Sequence, residues 1–85
     1  MKPYTDKNSE NFIYREFSED TLEEELVWHK DERTREVFIQ NPTDWMFQFE
    51  NELPFVLETS FTIVKGTYHR VIKGTGKLVI KLLEY

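Results

Sequence analysis

Apolar and polar residues alternate most cleanly between Trp45 and Glu50, where Trp45, Phe47 and Phe49 interleave with Met46, Gln48 and Glu50. A period of two marks a half-buried strand, whose side chains point to opposite faces in turn. Similar short runs recur along the chain. Asn11–Phe17 carries Phe12, Ile13, Tyr14 and Phe17, and reads as a first strand. Ser60–Val64, Tyr68–Ile72 and Leu78–Leu83 read as three more. Between them lie turn signals at Asn41-Pro42-Thr43-Asp44, Asn51-Glu52-Leu53-Pro54, Lys65-Gly66-Thr67 and Gly74-Thr75-Gly76, the last read as a hairpin turn.

Residues 18–38 admit two readings. Thr21-Leu22-Glu23-Glu24 fits a capping box, and Leu22 and Leu26 stand one helical turn apart, which predicts a short helical turn near residues 21–26. The apolar spacing then lapses. Leu26-Val27-Trp28 and Val37-Phe38-Ile39 flank the polar stretch Asp31-Glu32-Arg33-Thr34, which predicts a β-hairpin. Residues 1–10 are polar and predict a loose arm, leaving 11–85 as one domain. Seven or eight short strands, with turns at intervals of about 8–12 residues, predict an all-β antiparallel sandwich or barrel.

Composition narrows the function classes. Aromatics make up 15% of the 85 residues, and large rings are one route to stability in so small a core. There is no cysteine, so disulfide frameworks and cysteine-based zinc fingers are excluded. No segment approaches the roughly 20 apolar residues of a membrane span, and no leader-like apolar core follows Met1, so a cytoplasmic protein is expected. A net charge of −5 argues against nucleic-acid binding. Acidic residues crowd positions 10–36, whereas Lys65, Arg70, Lys73, Lys77 and Lys81 are the only charged residues from 65 to 81. Solvated surface explains both runs; a mutual approach of the two halves, within one chain or across a dimer, is the sharper reading.

The candidate chemistry centres on His29-Lys30-Asp31. Residues two apart in a strand share a face, so an imidazole and a carboxylate would lie side by side. Glu36 follows across the polar turn, and His69 lies on a later strand. Two His and two carboxylates form a nitrogen and oxygen ligand set suited to Fe(II), Mn(II), Zn(II), Ni(II) or Cu(II). No serine stands in a nucleophile context, and Gly74-Thr75-Gly76-Lys77 lacks the spacing of a phosphate loop.

These fragments resemble the two motifs of the cupins. The family's first motif is H-x-H with a Glu a few residues on, matched by His29, Asp31 and Glu36. Its second is P-x-G-x-x-H, matched by Val64-Lys65-Gly66-Thr67-Tyr68-His69. Asp31 replaces the second His of the first motif, Val64 replaces the Pro, and the glycines flanking the first motif are absent. Leu26-Val27-Trp28-His29 and His69-Arg70-Val71-Ile72-Lys73-Gly74 also resemble small phage-encoded cupins. The resemblance implies a small antiparallel β-barrel or double-sheet jelly roll with one divalent metal (Fe, Mn, Ni or Zn) on His29, Asp31, Glu36 and His69. It further implies dioxygenase or isomerase chemistry on a small polar substrate, or a non-catalytic module that keeps the barrel with a vestigial or empty site. If His29 and Asp31 face inward, Trp28, Tyr68, Arg70 and Ile72 face outward, and that apolar outer face predicts a homodimer.

Overall fold

The structure is a computed structural model and describes residues 2–85. It contains eight strands: β1 (Thr5–Asn8), β2 (Ile13–Phe17), β3 (Arg35–Ile39), β4 (Met46–Phe49), β5 (Phe55–Val56), β6 (Phe61–Ile63), β7 (His69–Ile72) and β8 (Leu78–Glu84). They form two antiparallel sheets, one in the order β1-β2-β8-β3-β6 and the other in the order β5-β4-β7. No helix among the described residues is long and apolar enough to cross a membrane.

The two sheets bury a shared core, and strand alternation decides what enters it. On β8, Leu78, Ile80 and Leu82 are buried while Val79, Lys81 and Leu83 are less so. Phe17, Val37 and Ile63 join them from β2, β3 and β6. Phe47, with Trp45 just ahead of β4, supplies the large rings of the opposing sheet, and Trp45 is fully buried. Its indole nitrogen donates to the Gly76 carbonyl at 3.1 Å, so the buried ring leaves no polar atom unpaired.

Four local expectations are corrected. Residues 5–8 of the expected loose arm are an edge strand. Asp6 pairs across from Arg15, whose guanidinium meets the Asp6 carboxylate at 2.8 and 3.0 Å and lies over the Tyr4 ring. Thr21 also donates to the Pro3 carbonyl, so the segment is anchored on both sides. The expected hairpin from Leu26 to Ile39 does not form. Both edges of β3 are taken, by β6 and β8, and the 26–30 segment passes to the other sheet instead. The expected helical turn is present as a 3-10 turn at Glu23–Glu25.

Gly74–Gly76 is a crossover between sheets, since β7 pairs with β4 and β8 pairs with β2 and β3. It is clamped to another crossover, the one from β3 to β4 around 41–45. The Asp44 carboxylate accepts from the Thr75 amide at 2.8 Å and from its hydroxyl at 2.9 Å. Asn41 donates to the Lys77 carbonyl and accepts from the Val79 amide. The fourth correction is β5, a two-residue strand that the sequence pattern did not mark.

Candidate metal centre

The 26–30 segment reaches the second sheet at one point. His29 and His69 exchange backbone hydrogen bonds, amide to carbonyl, at 3.0 and 2.9 Å. Residues directly opposed in this way present their side chains on the same face. The two imidazoles therefore meet edge to face, with ring centroids 4.4 Å apart. His69 stands on the inner face of β7, is 2% exposed, and stacks on the Phe47 ring. His29 is at the rim, its side chain about half exposed.

Each ring is oriented by its own chain. His29 Nδ1 lies 2.9 Å from the Val27 carbonyl, and His69 Nδ1 lies 2.8 Å from the Thr67 carbonyl. A carbonyl can only accept, so Nδ1 carries the proton and, in the neutral ring, Nε2 keeps its lone pair. Both free nitrogens face Asp31. His69 Nε2 is 3.3 Å from Asp31 Oδ2, and His29 Nε2 is 3.8 Å from Oδ1. One ligand atom from each of the three residues lies within 4.8 Å of the others.

Asp31 is held in place through its backbone. Its carbonyl accepts from the Gly66 amide at 2.9 Å, and the Lys65 amide donates to the Thr34 hydroxyl. The loop before His69 is thereby docked on the loop after His29. Gly66 has φ +80°, a left-handed conformation that suits glycine, which gives the Gly of the second motif a role in bringing Asp31 to His69.

The site has the electrostatics of a cation seat. Asp31 Oδ2 is buried and has no hydrogen-bond partner. Buried oxygens of this kind are rare and costly. Burial pushes the Asp31 carboxyl up, but the His69 ring, the Arg35 charge and then His29 outweigh it and hold the group below the ordinary carboxylate range. With Nδ1 turned to a carbonyl, His69 Nε2 and Asp31 Oδ2 are two acceptors facing each other at 3.3 Å, an approach that a cation between them would relieve. The donor set thus fits a divalent transition metal: two imidazole nitrogens and one carboxylate.

Glu36 does not join the group. It alternates with the inward Arg35 and Val37, faces away from the cavity, and its carboxylate accepts from the Tyr85 hydroxyl. Its assignment assumed a hairpin that would return it over His29; without that hairpin the family position falls on the outer face. Arg35 is the neighbour that sequence reasoning missed. Its Nε donates to Glu84 at 2.8 Å, and Nη1 lies 3.7 Å from Asp31 Oδ2. The signal was available: Arg35 shares its face with Val37 and Ile39, so a charged residue was due to point inward. Arg70 lies outside, over the Trp28 ring and bonded to Gln48.

The triad opens on a cavity of about 270 Å³ between the sheets. Its walls are mainly apolar, with Val37, Phe47, Leu57, Phe61, Ile63 and Leu82 among them.

No protein-family model and no curated protein matches the sequence. Solved structures match the fold. A cupin domain from Bordetella pertussis Tohama I is 16% identical, with a TM-score of 0.64, over 99% of this chain and 95% of that one. KdgF from Halomonas sp. is 14% identical, with a TM-score of 0.67, over 99% and 82% of the two chains. HppE in its Fe(II) form is 9% identical, with a TM-score of 0.66, over 96% of this chain and 48% of its own. At such identities the likeness is one of fold.

Proposed function

We propose that this chain, a small domain with the cupin fold, holds one divalent transition metal on His29 Nε2, Asp31 and His69 Nε2. One observation carries the reading: both imidazoles are fixed by carbonyls at Nδ1, so both Nε2 lone pairs face the Asp31 carboxylate, His69 at Oδ2 and His29 at Oδ1, and Oδ2 is buried without a hydrogen bond. Two His and one carboxylate leave coordination positions free for a ligand. The fold match to a protein solved with Fe(II) supports the same reading. Among Fe, Mn, Ni and Zn, nothing in the donor set selects one.

A bound ion would supply Lewis acidity or, if redox-active, a place for oxygen chemistry of the dioxygenase type. The residues do the rest. Asp31 offsets part of the ion's charge, Arg35, neutralised by Glu84, keeps Nη1 turned towards Asp31, and the apolar walls exclude water. The second reading is a ligand-binding module without turnover. It is favoured by the cavity lining, in which both guanidiniums are already paired, Arg35 with Glu84 and Arg15 with Asp6, leaving few groups to move a proton.

Elemental analysis of untagged protein, followed by calorimetric titration with Mn(II), Ni(II) and Zn(II), tests the metal. One ion per chain is expected. Absence of stoichiometric uptake of every ion overturns the proposal.

A further inference from the structure

The lining of the cavity constrains what can sit beside the triad. We propose that it takes a small amphiphilic monoacid: one carboxylate at the triad and an apolar body of about ten heavy atoms inserted between the sheets, rather than a polyhydroxylated compound. This rests on the metal reading above.

Three observations carry it. The first is the position of charge. A divalent ion less the Asp31 carboxylate leaves one positive charge at the rim. Arg35 adds none, because Glu84 holds it at 2.8 Å, yet its Nη1 stays turned towards the triad. At the other end Arg15 is closed off by Asp6, with bonds of 2.8 and 3.0 Å, and by the Tyr4 ring. Glu25, the remaining charged residue of the lining, is acidic, which leaves one place for one anionic group. The second is the wall. Beyond the triad the wall is mainly Val37, Phe47, Phe61, Ile63, Val71 and Leu82, none of which can hydrogen-bond a hydroxyl. A sugar-like body would bury hydroxyls without partners, a cost that an alkyl or aryl body avoids. The third is size. An apolar cavity of about 150 Å³ holds a benzene. The 270 Å³ here leaves room for a ring and a short acid arm.

Orientation follows from exposure. His29 is at the rim and His69 is buried, so the acid group stays near the opening and the body points inward.

The test compares two monoanions on the full-length untagged protein. Metal uptake is measured first, by calorimetry with Mn(II). The Mn(II)-loaded protein is then titrated with 3-phenylpropionate and with gluconate, and the metal-free protein with 3-phenylpropionate. The expected result is that 3-phenylpropionate binds at least about tenfold more tightly than gluconate, from the apolar area removed from water. Its affinity should fall at least about tenfold without the ion, which anchors the acid group. Gluconate binding as tightly, neither acid binding, or equal binding without the ion each overturns the inference and leaves the metal reading standing. No uptake of Mn(II) overturns both. Val71→Phe should displace 3-phenylpropionate and keep the ion; unchanged acid affinity in a folded Val71→Phe protein overturns the placement of the body. If that variant does not fold, the two-acid comparison decides alone.

Discussion

Replacing each histidine of the triad by alanine separates ligation from packing. His69 is 2% exposed, stacks on Phe47 with centroids 5.3 Å apart, and is hydrogen-bonded to the Thr67 carbonyl. Its removal leaves a void in the core and the Thr67 carbonyl without its partner, and should cost about 2–4 kcal/mol in the metal-free protein. His29 has a side chain that is 48% exposed and one hydrogen bond to Val27, so His29→Ala should cost about 1 kcal/mol or less. Metal binding adds a term of its own. With the ion at a hundredfold excess over Kd, the wild type gains about 2.7 kcal/mol. For a domain of this size each kcal/mol moves Tm by about 4–8 °C, so the metal shift is roughly 11–22 °C. Both variants should lose it, since two ligands remain in each. Thermal melts of wild type, His29→Ala and His69→Ala, with and without Mn(II) or Ni(II), give the six values needed. The informative case is His29→Ala: nearly native stability without metal and little or no shift with it. A full metal shift in that variant would refute the assignment of His29 Nε2 as a ligand.

Other outcomes follow from the same contacts. Glu36→Gln should leave metal affinity unchanged by calorimetry, because Glu36 faces Tyr85 and the outside; a loss of binding would restore it to the site. Gly74→Ala should destabilise by about 1–3 kcal/mol, as its Cβ would lie 2.3 Å from Asp44 Oδ1 and 2.6 Å from the Trp45 amide nitrogen. An unchanged midpoint in urea would argue against the clamp between the two crossovers. The Asp31 pKa is lowered on folding, so its contribution to stability is full above the unfolded value of about 3.9 and is lost as pH falls through the folded value. Asp31→Asn should flatten the acid limb of a stability profile in metal-free protein, and an unaltered limb would contradict the shift. The homodimer expected from the sequence would use the outer face that carries Trp28 and Tyr68, 43% and 42% exposed. Light scattering that gives the mass of one chain at micromolar concentration would exclude it.

Much of the fold follows from the sequence, because strand patterning is local physics. Alternation around Trp45–Phe49 and Leu78–Leu82 sets which face is buried, and the two-residue period leaves no freedom once one face is apolar. The His-Lys-Asp spacing and the Gly three residues before His69 are local in the same sense. The first sets two ligands on one side, and the second marks a left-handed turn. Partnership is not local. Nothing within 26–39 tells the chain that β3 will have both edges filled by β6 and β8, two strands that come much later. That competition removes the hairpin, sends His29 to the other sheet against His69, and turns Glu36 outward. Edge pairing also decides that Thr5–Asn8 is a strand, since its polar residues carry no burial pattern and gain order only from the open edge of β2. The sequence by itself determined the alternating strands, most of the turns and four candidate metal ligands, His29, Asp31, Glu36 and His69. Only the tertiary structure decided which of the candidate ligands meet, because hydrogen-bonded edges are filled by whichever strands the whole chain brings to them.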